Sequence, residues 1–302
     1  MPIGVGLAGA LGAEIFPPPV NRVLFLGDSI TYAGDYVCDI AAWQLTRHPE
    51  RKLEIINAGL PSETVSGLSE PGHAGGKFLR PDLHERLARV LAQTKPDLVF
   101  ACYGMNDGIY LPFDEALFRA FRDGMLWLHA TVEKSGAKII HVTPPVFDEL
   151  KGKHFGYAAV LDRYSEWLLS QRTNGWQVVD LHEPMKKVLA DERAKDPAFA
   201  FAARDGIHPD KFGHWIMARA VLTGLGVDDV ASAPSAEAML ASVPHGVEVL
   251  KLIQKEQALL KDAWLTSTGH KRPLKQGLPL AEAQKQAADI EAQIKPLLPT
   301  HP

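Results

Sequence analysis

Five short runs of β-branched and large apolar residues recur through the first two thirds of the chain, at 22–26, 53–56, 98–103, 138–142 and 177–181. Between them lie stretches with apolar residues at helical spacing, over 35–46, 79–93, 113–134 and 157–171. Strand, helix, strand repetition is the pattern of a parallel sheet, because parallel neighbours need crossover connections that cover the sheet faces. The expectation is an α/β domain, a three-layer α/β/α sandwich with a five-stranded parallel sheet. Ligands of such sheets bind beyond the carboxyl ends of the strands, and the unusual residues of this chain fall there.

Length and composition set the frame around that domain. The 302 residues suffice for one sizeable core plus an appendage. With 46% hydrophobic and 23% charged residues the chain has ordinary globular composition. A net charge of −4, with no longer basic run than His270-Lys271-Arg272, excludes a broad phosphate-binding surface, so no nucleic acid partner is expected. No apolar run is long enough to span a bilayer. Residues 21–225 form the expected α/β domain. After Leu225 the texture changes to Ala, Glu, Lys, Gln and Leu, with helical patterns over 236–265 and 279–297. Residues 226–302 therefore read as a helical extension, either packed on the domain or serving as a partner-binding arm that makes a homo-oligomer. Residues 1–20 are a lead-in. Its apolar run at 3–13 is like a secretory h-region without the charged n-region, with Ala8-Gly9-Ala10 as a cleavage site. That favours a periplasmic or secreted protein over a cytoplasmic one; the alternative is an unstructured N-terminus. The two cysteines, Cys38 and Cys102, sit in apolar stretches and read as buried thiols rather than a bridge.

The first run ends in Gly27-Asp28-Ser29-Ile30-Thr31, which places Ser29 at a strand-to-helix turn. A nucleophile fits there, although Asp28 or Ser29 could equally cap the helix. Near the end of the domain comes Asp205-Gly206-Ile207-His208-Pro209, ahead of a helical stretch at 211–222. A carboxylate three residues before a histidine can hold Nδ1, leaving Nε2 to take a serine proton. Acyl transfer also needs donors for the developing oxyanion. The Gly59 N–H in Asn57-Ala58-Gly59 and the Asn106 amide in Gly104-Met105-Asn106-Asp107 supply candidates; with the Ser29 N–H they would make a three-donor hole.

The segments GDSI, NAG, GMND and DGIHP, in that order over about 22–222, resemble the four blocks of the SGNH hydrolases, the GDSL-like lipases and acylhydrolases. The resemblance implies a flavodoxin-like sheet of order 2-1-3-4-5 and a serine esterase. Its triad would be Ser29, Asp205 and His208 and its oxyanion hole Ser29, Gly59 and Asn106, with no cofactor and no metal. Family members cleave sugar acetates, lysophospholipids, thioesters and aryl esters. The first expectation is a carbohydrate O-acetyl esterase, the alternative a short-chain lipid, lysophospholipid or general acyl esterase or thioesterase. A non-catalytic glycan-binding module is the rival from another class, but erosion of Ser29, Asn106 or His208 would mark it, and all three are present. The second block departs from the pattern at Ser62, where many relatives carry glycine, which leaves the backbone geometry of that turn open.

Other features read more plainly. Gly4-Val5-Gly6-Leu7-Ala8-Gly9 matches a dinucleotide fingerprint but has no strand before it. Gly75-Gly76-Lys77 lacks the spacing of a phosphate loop and reads as a loop over the crevice. Neither Gly-x-Ser-x-Gly nor His-Glu-x-x-His occurs. His214 is a rival base without an adjacent carboxylate, and His73, His141 and His182 lack metal-ligand spacing. Trp43, Trp127 and Trp167 read as core. Tyr32 and Tyr110 follow the catalytic blocks and could wall a sugar or an acyl chain, or simply pack. The dense segment 263–272, with Trp264 and His270, either folds over the crevice or is an exposed helix end whose Lys271 and Arg272 offset the dipole.

Overall fold

The computed structural model describes residues 14–299, so the export-like run and the fingerprint-like glycines at 3–13 lie outside the described residues. Five strands, β1 (Arg22–Gly27), β2 (Glu54–Asn57), β3 (Leu98–Cys102), β4 (Lys138–Val142) and β5 (Gln177–Val179), form one sheet in the order β2-β1-β3-β4-β5. Every pairing is parallel. The central strands β1 and β3 are apolar nearly throughout because both of their faces are covered. Phe25 and Phe100 are register partners whose rings stack at 4.9 Å, and Phe16 of the lead-in packs edge-on against Phe100. Each such side chain contributes about 1.5–3 kcal/mol by leaving water.

The helices are α1 (Ser29–Ala33), α2 (Asp35–Arg47), α3 (Leu83–Thr94), α4 (Glu115–Lys134), α5 (Tyr157–Ser170), α6 (His182–Lys195), α7 (Lys211–Gly224), α8 (Ala236–Leu240), α9 (Gly246–Thr268) and α10 (Leu280–Ile294). Right-handed crossovers put the helix after β1 on one face and those after β2, β3 and β4 on the other. Accordingly α2 packs against α7, while α3, α4 and α5 share contacts such as His84 on Trp127 and Phe121 on Tyr164. The expected α3 start at residue 79 is four residues early: the chain runs irregularly until Asp82 caps the helix by accepting from the His84 N–H. α6 shows no apolar stripe in sequence because it buries only His182, Met185 and Leu189.

The expected helix at 236–265 is interrupted: α8 stops at Leu240, and the turn that follows carries Pro244 and a left-handed His245, the cap from which α9 starts. α9 and α10 form a hairpin that packs on α2 and on β2. β2 is an edge strand, and its outward Ile55 carbonyl accepts from Gln257 Nε2 at 3.0 Å. The extension thus covers an edge that would otherwise invite pairing with another chain. Both cysteines are free and buried. Trp43 is core as expected, but Trp127 and Trp167 are only partly buried. Among the described residues, no helix is long and apolar enough to cross a membrane.

Candidate active site

β1 delivers Ser29 to the carboxyl edge of the sheet. At its last residue a Cβ on Gly27 would lie 2.2 Å from Thr31 Oγ1 and 2.8 Å from the Cys102 carbonyl, so only glycine permits the turn. Asp28 caps α1 through Ile30 N–H at 2.9 Å, and burial pushes its carboxyl up to about 7. That capping is the structural half of the Gly-Asp-Ser motif. Ser29 is left half-buried as the first residue of α1, with its own N–H donating to no group among the described residues.

His208 reaches Ser29 from the loop before α7. Asp205 Oδ1 accepts the N–H groups of Ile207 and His208, both at 2.9 Å, and Gly206 at φ +76° makes the turn that this needs. Asp205 Oδ2 lies 2.8 Å from His208 Nδ1, and His208 Nε2 lies 2.8 Å from Ser29 Oγ. Since Asp205 can only accept, Nδ1 carries the proton and Nε2 is the acceptor for the Ser29 hydroxyl. Partial burial alone would raise the Asp205 carboxyl, but the bonds from the His208 backbone and ring and from Ile207 hold it well below the usual carboxylate range. Arg204 also touches Asp205 at 3.1 Å, but that side chain is 79% exposed and adds little.

The expected oxyanion donors divide. Asn106 stands where the third block put it, 4% exposed, with Arg80 Nη1 at 2.9 Å and the Tyr110 hydroxyl at 3.1 Å both donating to Oδ1. These bonds aim the amide: Nδ2 gives one hydrogen to the Glu63 carbonyl at 3.2 Å and has a second to give. The Gly59 N–H, by contrast, is not free. It donates to Asn57 Oδ1 at 2.9 Å, and a Cβ at Gly59 would lie 2.4 Å from Tyr32 N. Gly59 therefore serves close passage of the loop past α1. The Ser62 N–H of the same loop, held in the left-handed region at φ +67°, donates to no group among the described residues. Sequence pattern pointed away from it, since a serine at positive φ costs about 1–2 kcal/mol; the departure from the family's glycine was the available signal.

A buried lattice supports this wall. Arg86 grips Glu63 through Nε and Nη2 at 2.6 and 2.7 Å and also donates to the Ala58 carbonyl, while the Tyr103 hydroxyl donates to Glu63 Oε2 at 2.7 Å. Asp107 accepts the Ser66 and Gly104 N–H groups, and its carboxyl is pushed up to about 6 by burial. Neither Arg80 nor Arg86 carried any motif in sequence.

The peripheral expectations fare unevenly. Tyr110 touches Asn106 and packs at a tilt against Tyr157 and His154. Tyr32 is clamped by the extension: its hydroxyl donates to Asp262 at 2.9 Å, and Lys261 lies over its ring. Trp264 is 6% exposed and belongs to the core, not to the crevice. His270 is half-buried next to Arg272, and its pKa is lowered by burial and then by the Arg86 charge. His214 is buried and stacked on Tyr36, away from the role of base. His73–Gly76 is a short kinked turn, left-handed at Ala74 and Gly75 and exposed around its glycines. Among the described residues no cluster of three or more His, Cys, Asp or Glu could hold a metal ion.

The sequence profile of the GDSL-like Lipase/Acylhydrolase family matches residues 25–216. The chain belongs to that family. As a GDSL-like hydrolase it is an ester-hydrolysing enzyme. No curated protein matches it by sequence. Among solved structures, the acetylxylan esterase Axe2 from Geobacillus stearothermophilus is similar at 24% identity and a TM-score of 0.53, over 71% of this chain and 97% of that one. LAE5, an alpha/beta hydrolase enzyme from the metagenome of Lake Arreo, Spain, is 24% identical with a TM-score of 0.55, over 71% and 99% of the two chains. A gut microbial diltiazem-metabolizing enzyme is 23% identical with a TM-score of 0.54 over 71% of this GDSL-like chain, which spans only 49% of that larger protein. At these identities the likeness establishes the fold.

Proposed function

We propose that this GDSL-like hydrolase cleaves carboxylic esters by a serine mechanism and that its substrates are O-acetylated carbohydrates. The observation that carries the mechanism is the unbroken chain Asp205 Oδ2, His208 Nδ1, His208 Nε2, Ser29 Oγ, with both contacts at 2.8 Å. His208 Nε2 takes the Ser29 proton as Oγ bonds to the carbonyl carbon, and the carbonyl π pair moves onto oxygen. The Ser29 and Ser62 N–H groups and the second Asn106 Nδ2 hydrogen hold that oxyanion, with Ser62 taking the part first expected of Gly59. Collapse expels the alcohol, which takes the proton from His208. Water, deprotonated by the same nitrogen, then releases the acid and frees Ser29. The likeness to an acetylxylan esterase supports the sugar-acetate reading.

The test is hydrolysis of 4-nitrophenyl esters of increasing chain length, beside acetate release from acetylated xylan, by the wild type and by Ser29→Ala. A loss of at least about 10³ in kcat for the variant is expected, with rates that collapse beyond acetyl. An equally active variant refutes the mechanism. Undiminished rates on long acyl chains refute the acetyl preference and favour a lipid esterase.

A further inference from the structure

The C-terminal extension reaches the crevice with a charged side chain. α9 is fastened to α3 where Arg89 donates to the Thr268 and Gly269 carbonyls at 2.9 and 3.3 Å. The strap that follows places Arg272 Nη1 2.9 Å from Ser62 Oγ, with the guanidinium carbon 4.8 Å from the centre of the Phe78 ring. The Gly277 N–H on Thr266 Oγ1, at 2.8 Å, returns the strap to α9.

Three arginines line this wall, and they are used differently. Arg80 turns its Nε and Nη2 edge onto Glu70, both contacts at 2.7 Å. Arg86 turns the same edge onto Glu63. Arg272 donates to a neutral hydroxyl and lies over the Phe78 ring. Its Nε is buried without an acceptor, and no carboxylate among the described residues pairs with it. The titratable groups that face it are the like-charged Arg80 and the Tyr32 phenol, which burial and its bond to Asp262 keep protonated. A half-buried guanidinium with no counter-charge is costly, and its Nη2, which donates to no group among the described residues and is not buried, is the nitrogen that can meet a carboxylate oxygen. We infer that Arg272 is a substrate-binding residue that selects esters bearing a carboxylate on the substrate, an inference that rests on the esterase reading of the same crevice.

The experiment compares kcat/KM of the full-length protein for charged and neutral esters: mono-4-nitrophenyl succinate against 4-nitrophenyl butyrate, and acetylated polygalacturonate against acetylated xylan. Arg272→Gln keeps a donor for Ser62 and removes the charge. The wild type should favour one charged partner of a pair. Arg272→Gln should lower that charged-to-neutral ratio by about tenfold or more, mainly through KM, and salt should lower it in the wild type. Preference for the succinate places the anion on the acyl side, and preference for the uronate on the alcohol side; either supports the inference. A wild type without charge preference overturns it, as does a ratio that Arg272→Gln leaves unchanged, since a merely structural role would lower both rates alike. Failure of the wild type to cleave any ester refutes the esterase reading instead; the inference is then judged by calorimetric titration with galacturonate oligomers, where binding lost in Arg272→Gln upholds the anion site and no binding by the wild type overturns it.

Discussion

Removal of the Asn106 amide separates the oxyanion reading from a purely structural one. The side chain uses three of its four bonding capacities on protein: Oδ1 takes Arg80 and Tyr110, and one Nδ2 hydrogen goes to the Glu63 carbonyl. The fourth is the hydrogen that would meet the oxyanion, and such a donor is worth about 2.7–4 kcal/mol, or 10²–10³ in kcat. Asn106→Ala also strands Arg80 Nη1, the Tyr110 hydroxyl and the Glu63 carbonyl inside the protein, for about 1–3 kcal/mol of stability. Asn106→Asp is the cleaner variant, because it preserves Oδ1 beside Arg80 and replaces the donor by an acceptor. Both should lower kcat for 4-nitrophenyl acetate by on the order of 10² or more, with KM changed far less. Rates are to be normalised to folded protein by circular dichroism. A folded Asn106→Asp protein whose kcat matches the wild type would refute the claim that this amide stabilises the transition state.

Three further outcomes follow from burial and backbone geometry. Glu63→Ala should lose about 3–5 kcal/mol in urea unfolding, because both side chains of its pair with Arg86 are fully buried and Arg86 would be left charged and alone; a loss under about 1 kcal/mol would contradict that accounting. Burial, and then the charge of Glu291, push the Glu256 carboxyl from 4.5 up to about 7 in the folded state. The folded protein therefore keeps a proton that the unfolded chain releases, and a penalty grows as pH rises from 4.5 to about 7 and persists above it. Glu256→Gln should raise stability by about 1–3 kcal/mol near pH ~8 and by nothing near pH ~4; an equal gain at both would rule out the titration. Gly206→Ala should both destabilise the protein and slow it, since φ is +76° and the added Cβ would sit 2.4 Å from Gly152 N, in the turn through which Asp205 holds His208; unchanged kcat and melting temperature would show that the turn relaxes freely.

The parts of this fold legible in sequence are those set by period and by local chemistry. β1 and β3 were visible because doubly covered parallel strands are apolar at successive positions, and the Asp205–His208 turn because its carboxylate, glycine and histidine lie within one tight loop. Sheet order came from the resemblance of the four blocks, not from periodicity. α6 was missed because its buried stripe is three residues wide, and the break between α8 and α9 because apolar spacing resumes in phase with helix on either side of Pro244. Arg80 and Arg86 were illegible as site residues for a different reason, and Arg272 was visible only as part of the segment 263–272. Each acts on a partner 10, 23 or 210 positions away, and no local pattern encodes such a meeting.

Ser62 couples the turn after β2 to the C-terminal extension. Its loop leaves the edge strand β2, where little in the sheet itself fixes the backbone, and its left-handed φ is unfavourable for any residue with a Cβ. A glycine would adopt that conformation without strain but would present no hydroxyl. The serine accepts the strain and offers Oγ to Arg272, so the turn that aims its N–H is tied to the extension by the bond that brings the cation to the crevice. Gln257 on the Ile55 carbonyl and Lys261 on the Tyr32 carbonyl fasten the same extension on either side of that loop. The hairpin is therefore better understood as a wall of the site than as an appendage: it covers the edge of β2, clamps the helix that begins with Ser29, and supports the turn proposed to hold the oxyanion.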